Sequence, residues 1–290
     1  MDSSTQLTLG RRSLAAIGAL ALMTGCGSSS AAPPQRAAAA APAQRLDLGV
    51  VGITARIAGD RVHSTGVVLD VDRGLIVTTA HGVWGARSLK IATGIAVLHG
   101  RIVARDTCDD LAVLETQPRL PGLVAVRPTG DVPLAAGQPI VAVRRRAGLP
   151  SGGRPDLITR RVAVTGAAGG STRGVAARHA VGIDAPGLPA ASSGAPLIGA
   201  DGRLVGLAQV VAGRKRTLRA ALPWITIDER LRELRPGGRA AYVGWRRHYR
   251  CAGALHRYAA NRHPGYRHGD AQLNAPVPAT RLPGTAEVDG

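Results

Sequence analysis

Three short apolar runs, each carrying one chemically versatile side chain, constrain this chain more than any other feature. Residues 74–81 read Gly-Leu-Ile-Val-Thr-Thr-Ala-His, residues 110–114 read Asp-Leu-Ala-Val-Leu, and residues 192–197 read Ser-Ser-Gly-Ala-Pro-Leu. Short β-branched and aliphatic runs bounded by turn formers are strand signals. His81 therefore closes a strand, Asp110 opens another, and Ser193 stands in a turn just before a third. Each residue alone has a plainer reading. A histidine ending a strand is a polar strand end, an aspartate before one is a turn residue, and Ser-Gly is a common turn dipeptide.

Together, in this order, the three have a chemistry in common. A serine hydroxyl is a weak nucleophile near neutral pH unless a base lies within hydrogen-bond reach and a third group orients that base. Histidine suits the role of base because its ordinary pKa, about 6.5, makes both protonation states accessible. The segments resemble the trypsin-like serine proteases, most closely the HtrA/Deg group, with its T-x-A-H strand end, D-[LI]-A-V-[LI] strand and S-G-G-P-L turn. Asp110 follows His81 by 29 residues and Ser193 follows Asp110 by 83, gaps that suit His81 and Asp110 on one barrel and Ser193 on a second. The resemblance implies an all-β fold, a double six-stranded antiparallel β-barrel with a C-terminal helix. It further implies an endopeptidase in which Ser193 attacks the scissile carbonyl, His81 relays its proton and Asp110 fixes the imidazole.

Two departures bear on that expectation. The usual Gly-Asn/Asp-Ser-Gly-Gly-Pro turn here reads Ala191-Ser192-Ser193-Gly194-Ala195-Pro196. The resemblance assigns the oxyanion hole to the backbone N–H groups of Ala191 and Ser193, and alanine tolerates the required conformation less well than glycine. A latent enzyme, or an inactive protease-fold binding protein, therefore stays open beside the active one. The second departure concerns specificity. The pocket-base acid of trypsin falls at Gly187, between Pro186 and Leu188, so nothing favours cleavage after Lys or Arg. A pocket of Gly187, Leu188, Gly206, Leu207 and Ala208 is expected to take small to medium apolar side chains, with Asp184 topping a strand.

Other family-like text surrounds the three runs. Ser64–Asp70 resembles the G-S-G-V-V-L-D strand, Ala136–Val143 the strand that opens the second barrel, and Asp201–Leu207 a D-G hairpin turn and strand. The first strand is expected over 46–57, a helix turn over 81–86 with Trp84 packed there, a basic loop over 144–160, and strands over 161–168 and 176–184. An amphipathic helix is expected over 225–234, starting at Thr226 or Asp228. The resemblance covers residues 46–236. The remaining 54 residues are too few for the roughly 80–100 of a PDZ domain, so none is expected.

The N-terminus reads as an export signal. Arg11-Arg12 precede the apolar run Leu14–Met23, which is too short for an ordinary membrane span. Thr24-Gly25-Cys26 follows, then Ser, Ala and Pro. The layout resembles a bacterial lipoprotein signal with Cys26 lipidated, although Met23 departs from the lipobox. Cleavage without a lipid is the alternative, and Arg11-Arg12-Ser13-Leu14 partly resembles a twin-arginine signal. Residues 1–26 are thus read as the signal and 27–45 as a flexible tether. An exported chain, lipid-anchored at a membrane or free outside the cytoplasm, rarely meets nucleic acid, so the expected partners are protein or peptide substrates. Outside the cytoplasm leftover cysteines tend to pair. The family's packing of its C-terminal helix on the first barrel implies a Cys108–Cys251 disulfide, with two free thiols as the alternative.

Net charge is +18 with no Phe, so the cores must be aliphatic. The charge reflects either a biased Arg/Ala/Gly composition or attraction to an anionic envelope surface. All four tyrosines and half of the eight histidines fall within residues 237–290. Tyr242, Trp245, Tyr249 and Ala252 are spaced as one helix face, which either docks on the barrel or, with neighbouring arginines, meets that surface. His248, His256, His263 and His268 match no helical ligand pair. No metal or cofactor is implied, and the chain from Asp270 onward reads as disordered.

Overall fold

The computed structural model describes residues 46–117, 122–130, 132–146, 157–168, 179–212, 217–234 and 245–267, with backbone only at 117, 167, 168, 245–250 and 252. The expectations for the signal, Cys26, the tether, Tyr242, His268 and the C-terminal end lie outside these residues. The chain divides into units Met1–Arg36 and Ala37–Gly290, and every described residue belongs to the second.

Twelve strands form among the described residues: β1 (Val50–Ile57), β2 (Asp60–Asp70), β3 (Leu75–Thr79), β4 (Ala86–Ala92), β5 (Val97–Asp106), β6 (Leu111–Gln117), β7 (Pro139–Arg145), β8 (Leu157–Ala168), β9 (Val181–Asp184), β10 (Pro196–Ile198), β11 (Leu204–Ala212) and β12 (Thr217–Pro223). They close into two antiparallel barrels, β1-β2-β3-β6-β5-β4 and β10-β11-β12-β9-β8-β7. The expected double barrel is therefore observed.

Strand alternation explains how the barrels meet. Successive side chains point to opposite faces. In β1, Val51, Ile53, Ala55 and Ile57 fill the first barrel, while Val50 turns outward. Val50 joins Val67, Val77 and Leu111 in a seam against Val143, Leu207 and Leu222 of the second barrel. Full burial of a side chain of this size contributes about 1.5–3 kcal/mol, so the seam is held as a core is. Arg145 of β7 carries a buried charge across it. It donates from Nε to the Val50 carbonyl at 2.7 Å and pairs with Asp47.

Local differences from expectation have local causes. Residues 46–49 form a helical turn, and residues 81–85 are turns that lead directly into β4. Leu157–Arg160 belongs to β8 rather than to a loop, because it pairs with β7 from Ala142 to Arg145. Helix α1 (Trp224–Glu233) begins after Pro223 rather than at Thr226 or Asp228. Proline lacks the N–H that a helix start leaves unpaired.

Helix α2 (Trp245–Arg262) lies beyond the family-like region yet contributes to the first barrel. Leu255, Ala259 and the following Tyr266 are buried in its core. The Trp84 indole N–H donates to the Tyr266 hydroxyl at 3.0 Å, and His256 meets the Trp84 ring edge-on at 5.1 Å. Docking therefore uses turns beyond the expected Trp245–Ala252 face, for which only backbone is described. Cys108 and Cys251 are bonded, with a sequence separation of 143 residues. Closing so long a loop contributes on the order of 3–5 kcal/mol by chain entropy. The Cys108→Ser/Cys251→Ser double variant should accordingly melt on the order of 10 °C lower by calorimetry.

Candidate active site

Each of the three candidate catalytic residues is placed by a hydrogen-bonded strand end. β3 pairs with β6 from Leu75 to Thr79, which delivers His81 beside Asp110. The Asp110 carbonyl accepts the Ala80 N–H at 2.9 Å and its Oδ1 accepts the His81 N–H at 2.8 Å. Asp110 itself has φ +55°, a left-handed conformation that Asp enters more readily than most residues but at some strain. The loop before it explains why that conformation persists. Asp106 Oδ1 accepts the N–H groups of Cys108 and Asp109 at 2.8 and 3.2 Å. The Asp109 carboxylate meets Arg230 Nε of α1 and His179 Nδ1, each at 2.9 Å, and Gln209 of β11 holds the Asp109 carbonyl. Burial alone would lower the Arg230 guanidinium, but hydrogen bonds to Glu233 and Asp109 carry it above its ordinary value.

Ser193 comes from the other barrel. The Thr65 N–H of β2 donates to the Ser193 carbonyl at 2.8 Å, and Thr65 Oγ1 donates to the Ala191 carbonyl at 3.1 Å. Gly194 has φ +80°, and a Cβ there would stand 2.1 Å from the Thr65 oxygen. Only glycine allows that approach.

The three side chains meet across the seam. His81 Nδ1 lies 2.6 Å from Asp110 Oδ2, and His81 Nε2 lies 2.8 Å from Ser193 Oγ. All three residues are at most 5% exposed. With a proton on Nδ1 bonded to Asp110, Nε2 is an acceptor aimed at the serine hydroxyl. That hydroxyl has a second acceptor, the Val210 carbonyl at 2.8 Å, while the Val210 N–H donates to Oγ at 3.0 Å. One proton cannot serve both acceptors, so β11 competes with His81 for it.

The expected oxyanion hole is not open in this conformation. Ala190–Ser192 forms a short 3-10 helix in which the Ser193 N–H donates to the Ala190 carbonyl at 2.9 Å. One of the two donors expected at the hole is thus consumed by the turn itself. Alanine at 191 favours such a helical turn, where glycine would leave other conformations equally accessible.

The pocket residues divide. Gly187 is exposed at φ +73°, and Leu188 is buried in the second-barrel core. Gly206, Leu207 and Ala208 are packed within the second barrel. Leu207 and Ala208 are fully buried, Ala208 bonds Gly194 and Ala195 through its backbone, and a Cβ on Gly206 would meet the Leu222 oxygen at 2.5 Å. β11 is buried on both faces almost throughout, so nothing in its sequence marks where the substrate side begins. Asp184 ends β9 in an exposed position.

Residues 64–207 match the family model for the trypsin-like peptidase domain. The chain carries a trypsin-like peptidase domain. Among solved structures it is similar to the Rv3671c protease from M. tuberculosis in its active form, with 20% identity, TM-score 0.56, and 70% and 88% of the two chains covered. It is also similar to a serine endoprotease from Yersinia pestis, with 18% identity, TM-score 0.53, and 67% and 65% covered. The MamO protease domain from Magnetospirillum magneticum matches at 21% identity and TM-score 0.53, with 65% and 98% covered. At these identities the likenesses carry the fold. No curated protein matches the sequence significantly.

One residue beside the trypsin-like site was not foreseen from sequence. Tyr258 of α2 meets the His81 ring edge-on at 5.5 Å. Burial raises its phenol above the ordinary value, with Arg262 acting against this and Asp110 with it. A tyrosine three residues past Leu255 on an apolar helix face was the available signal. Tyr258→Ala should slow fluorophosphonate labelling of Ser193 by about tenfold, as misorientation of a reacting group does. Tyr258→Phe, which keeps the ring, should restore the rate.

Proposed function

We propose that the protein is an exported serine endopeptidase working through His81, Asp110 and Ser193 and an acyl-enzyme. The observation that carries this is the continuous pair of contacts from Asp110 Oδ2 through His81 to Ser193 Oγ, 2.6 and 2.8 Å, in a buried site. Ser193 Oγ attacks the peptide carbonyl carbon and its proton passes to His81 Nε2. The carbonyl electron pair moves to oxygen, then returns as the C–N bond breaks and the amine takes the proton from His81. Water repeats the sequence on the ester, releasing the acid and restoring Ser193. No metal or cofactor takes part.

The oxyanion requires donors, so the Ala190–Ala191 peptide turns before or during substrate binding, freeing the Ser193 N–H and reorienting the Ala191 N–H. Ser192 adds a cost to the closed turn, because its buried Oγ has no hydrogen-bond partner among the described residues. An unpaired buried hydroxyl costs about 1–3 kcal/mol. The rest of the reading follows the sequence. Residues 1–26 direct export with lipid on Cys26, 27–45 tether, 46–236 form the protease domain, and 237–290 form a basic extension that meets an anionic envelope surface. The engaged Ser193 N–H favours one second reading, a latent or inactive binding protein of the envelope.

Fluorophosphonate labelling separates the two. The wild type should label, Ser193→Ala should not, and Ala191→Gly should label faster, up to about a hundredfold if the hole limits reactivity. Labelling of Ala191→Gly alone would mark a latent enzyme. Absence from all three, with the protein folded, would favour the binding protein.

A further inference from the structure

We infer that the slot beside Ser193 selects substrates with an Asp or Glu side chain immediately before the cleaved bond, through Arg219 assisted by Arg160. The inference rests on the protease reading for the direction in which a peptide lies, and it stands in place of the small-apolar expectation drawn from Gly187 and Leu188.

Arg219 stands directly opposite Val210 in the β11–β12 register, and directly opposed residues project from the same face of a sheet. Val210 is the residue whose backbone brackets Ser193 Oγ, so Arg219 is one strand away from the nucleophile, about 5 Å across the sheet. The Val210 side chain belongs to the core cluster that also holds Leu188. Arg219 extends to the same segment and donates from Nε to the Leu188 carbonyl at 3.2 Å. Leu188 lies five residues before Ser193, on the wall that the sequence assigned to the pocket.

A second guanidinium converges there. The Arg160 Nη1 atom lies 3.8 Å from the place a Cβ on Gly187 would occupy. Gly187 supplies no side chain of its own, which leaves that space to a ligand. Among the described residues, none of Arg144, Arg160 and Arg219 is paired with a carboxylate. Arg144 lies below its ordinary value, first through burial and then through repulsion from Arg146 and Arg160. Arg144 and Arg219 are half-buried and Arg160 is exposed, and such arginines without counter-ions among the described residues are complementary to a carboxylate, because guanidinium presents several N–H donors in a planar fork.

The test is binding to the full-length Ser193→Ala protein, which removes turnover from the readout. Amidated hexapeptides of alanine carrying one Glu, Gln, Lys or Leu at each position in turn compete with a fluorescent peptide. One position should give Glu an advantage over Gln of about tenfold to hundredfold, the range of a charge-assisted hydrogen bond. Arg219→Glu introduced into the same protein should reverse the preference toward Lys at that position, and Arg160→Gln should diminish it.

Equal binding of Glu and Gln overturns the inference, as does binding too weak to detect for every peptide. A Glu advantage equal at all positions also overturns it, since that reports only the net charge of +18. The two readings fail separately. Wild-type protein that resists fluorophosphonate while Ser193→Ala keeps a positional Glu preference would sink the protease and retain the slot. Labelled wild type without that preference would do the opposite.

Discussion

The structure depends on the close approach of Gly194 to Thr65. The two barrels are separate closed sheets, and the candidate catalytic groups are divided between them. A Cβ at 194 would come within 2.1 Å of the Thr65 oxygen, so glycine alone lets the nucleophile turn lie flat on β2. The Thr65 N–H bond to the Ser193 carbonyl then fixes the turn. Thr78 Oγ1, donating to the Thr65 carbonyl at 2.7 Å, ties that contact to the strand that ends in His81. One backbone contact thus sets the distance between a serine from one barrel and a histidine from the other. The aliphatic seam supplies affinity between the barrels, and the glycine contact supplies register.

The second constraint is the loop 106–110. Its final residue adopts a conformation that costs free energy, and neighbours on both sides hold it there. Arg230, Gln209 and His179 grip Asp109 from one side. From the other, the Cys108–Cys251 bond attaches α2 two residues before Asp110. The same helix brings Tyr258 against His81. The extension past residue 236 is therefore part of the environment of the site, although it lies outside the matched peptidase region 64–207. Its eight arginines outnumber its three acidic residues, yet what docks it is apolar and aromatic contact through Leu255, Ala259 and Tyr266.

Much of this was legible in the sequence where the physics is local. His81, Asp110 and Ser193 stand at strand ends because hydrophobic runs and turn residues mark those ends, and short-range signals need no knowledge of the partner strand. The disulfide was legible only through the family resemblance, since nothing local connects residues 143 apart. Three features were not legible, each for a physical reason. Gly206, Leu207 and Ala208 read as pocket because a strand buried on both faces has no alternation to show which side faces substrate. The ends of long arginine side chains depend on tertiary neighbours, so Arg219 and Arg160 gave no sign of converging on 187–188. The closed 3-10 turn reflects a small balance between two peptide orientations. Ala191 hinted at that balance without deciding it.

The central claim is that Ser193 is a nucleophile held by His81 across the seam, with a hole that forms when the Ala190–Ala191 peptide turns. The most direct measurement is a crystal structure of the protein after treatment with a small alkyl fluorophosphonate. A phosphorus–oxygen bond at Ser193 Oγ is expected, with a phosphonyl oxygen accepting the Ser193 and Ala191 N–H groups and the Ala190 carbonyl turned away. An unmodified Ser193 whose N–H still donates to the Ala190 carbonyl would contradict it.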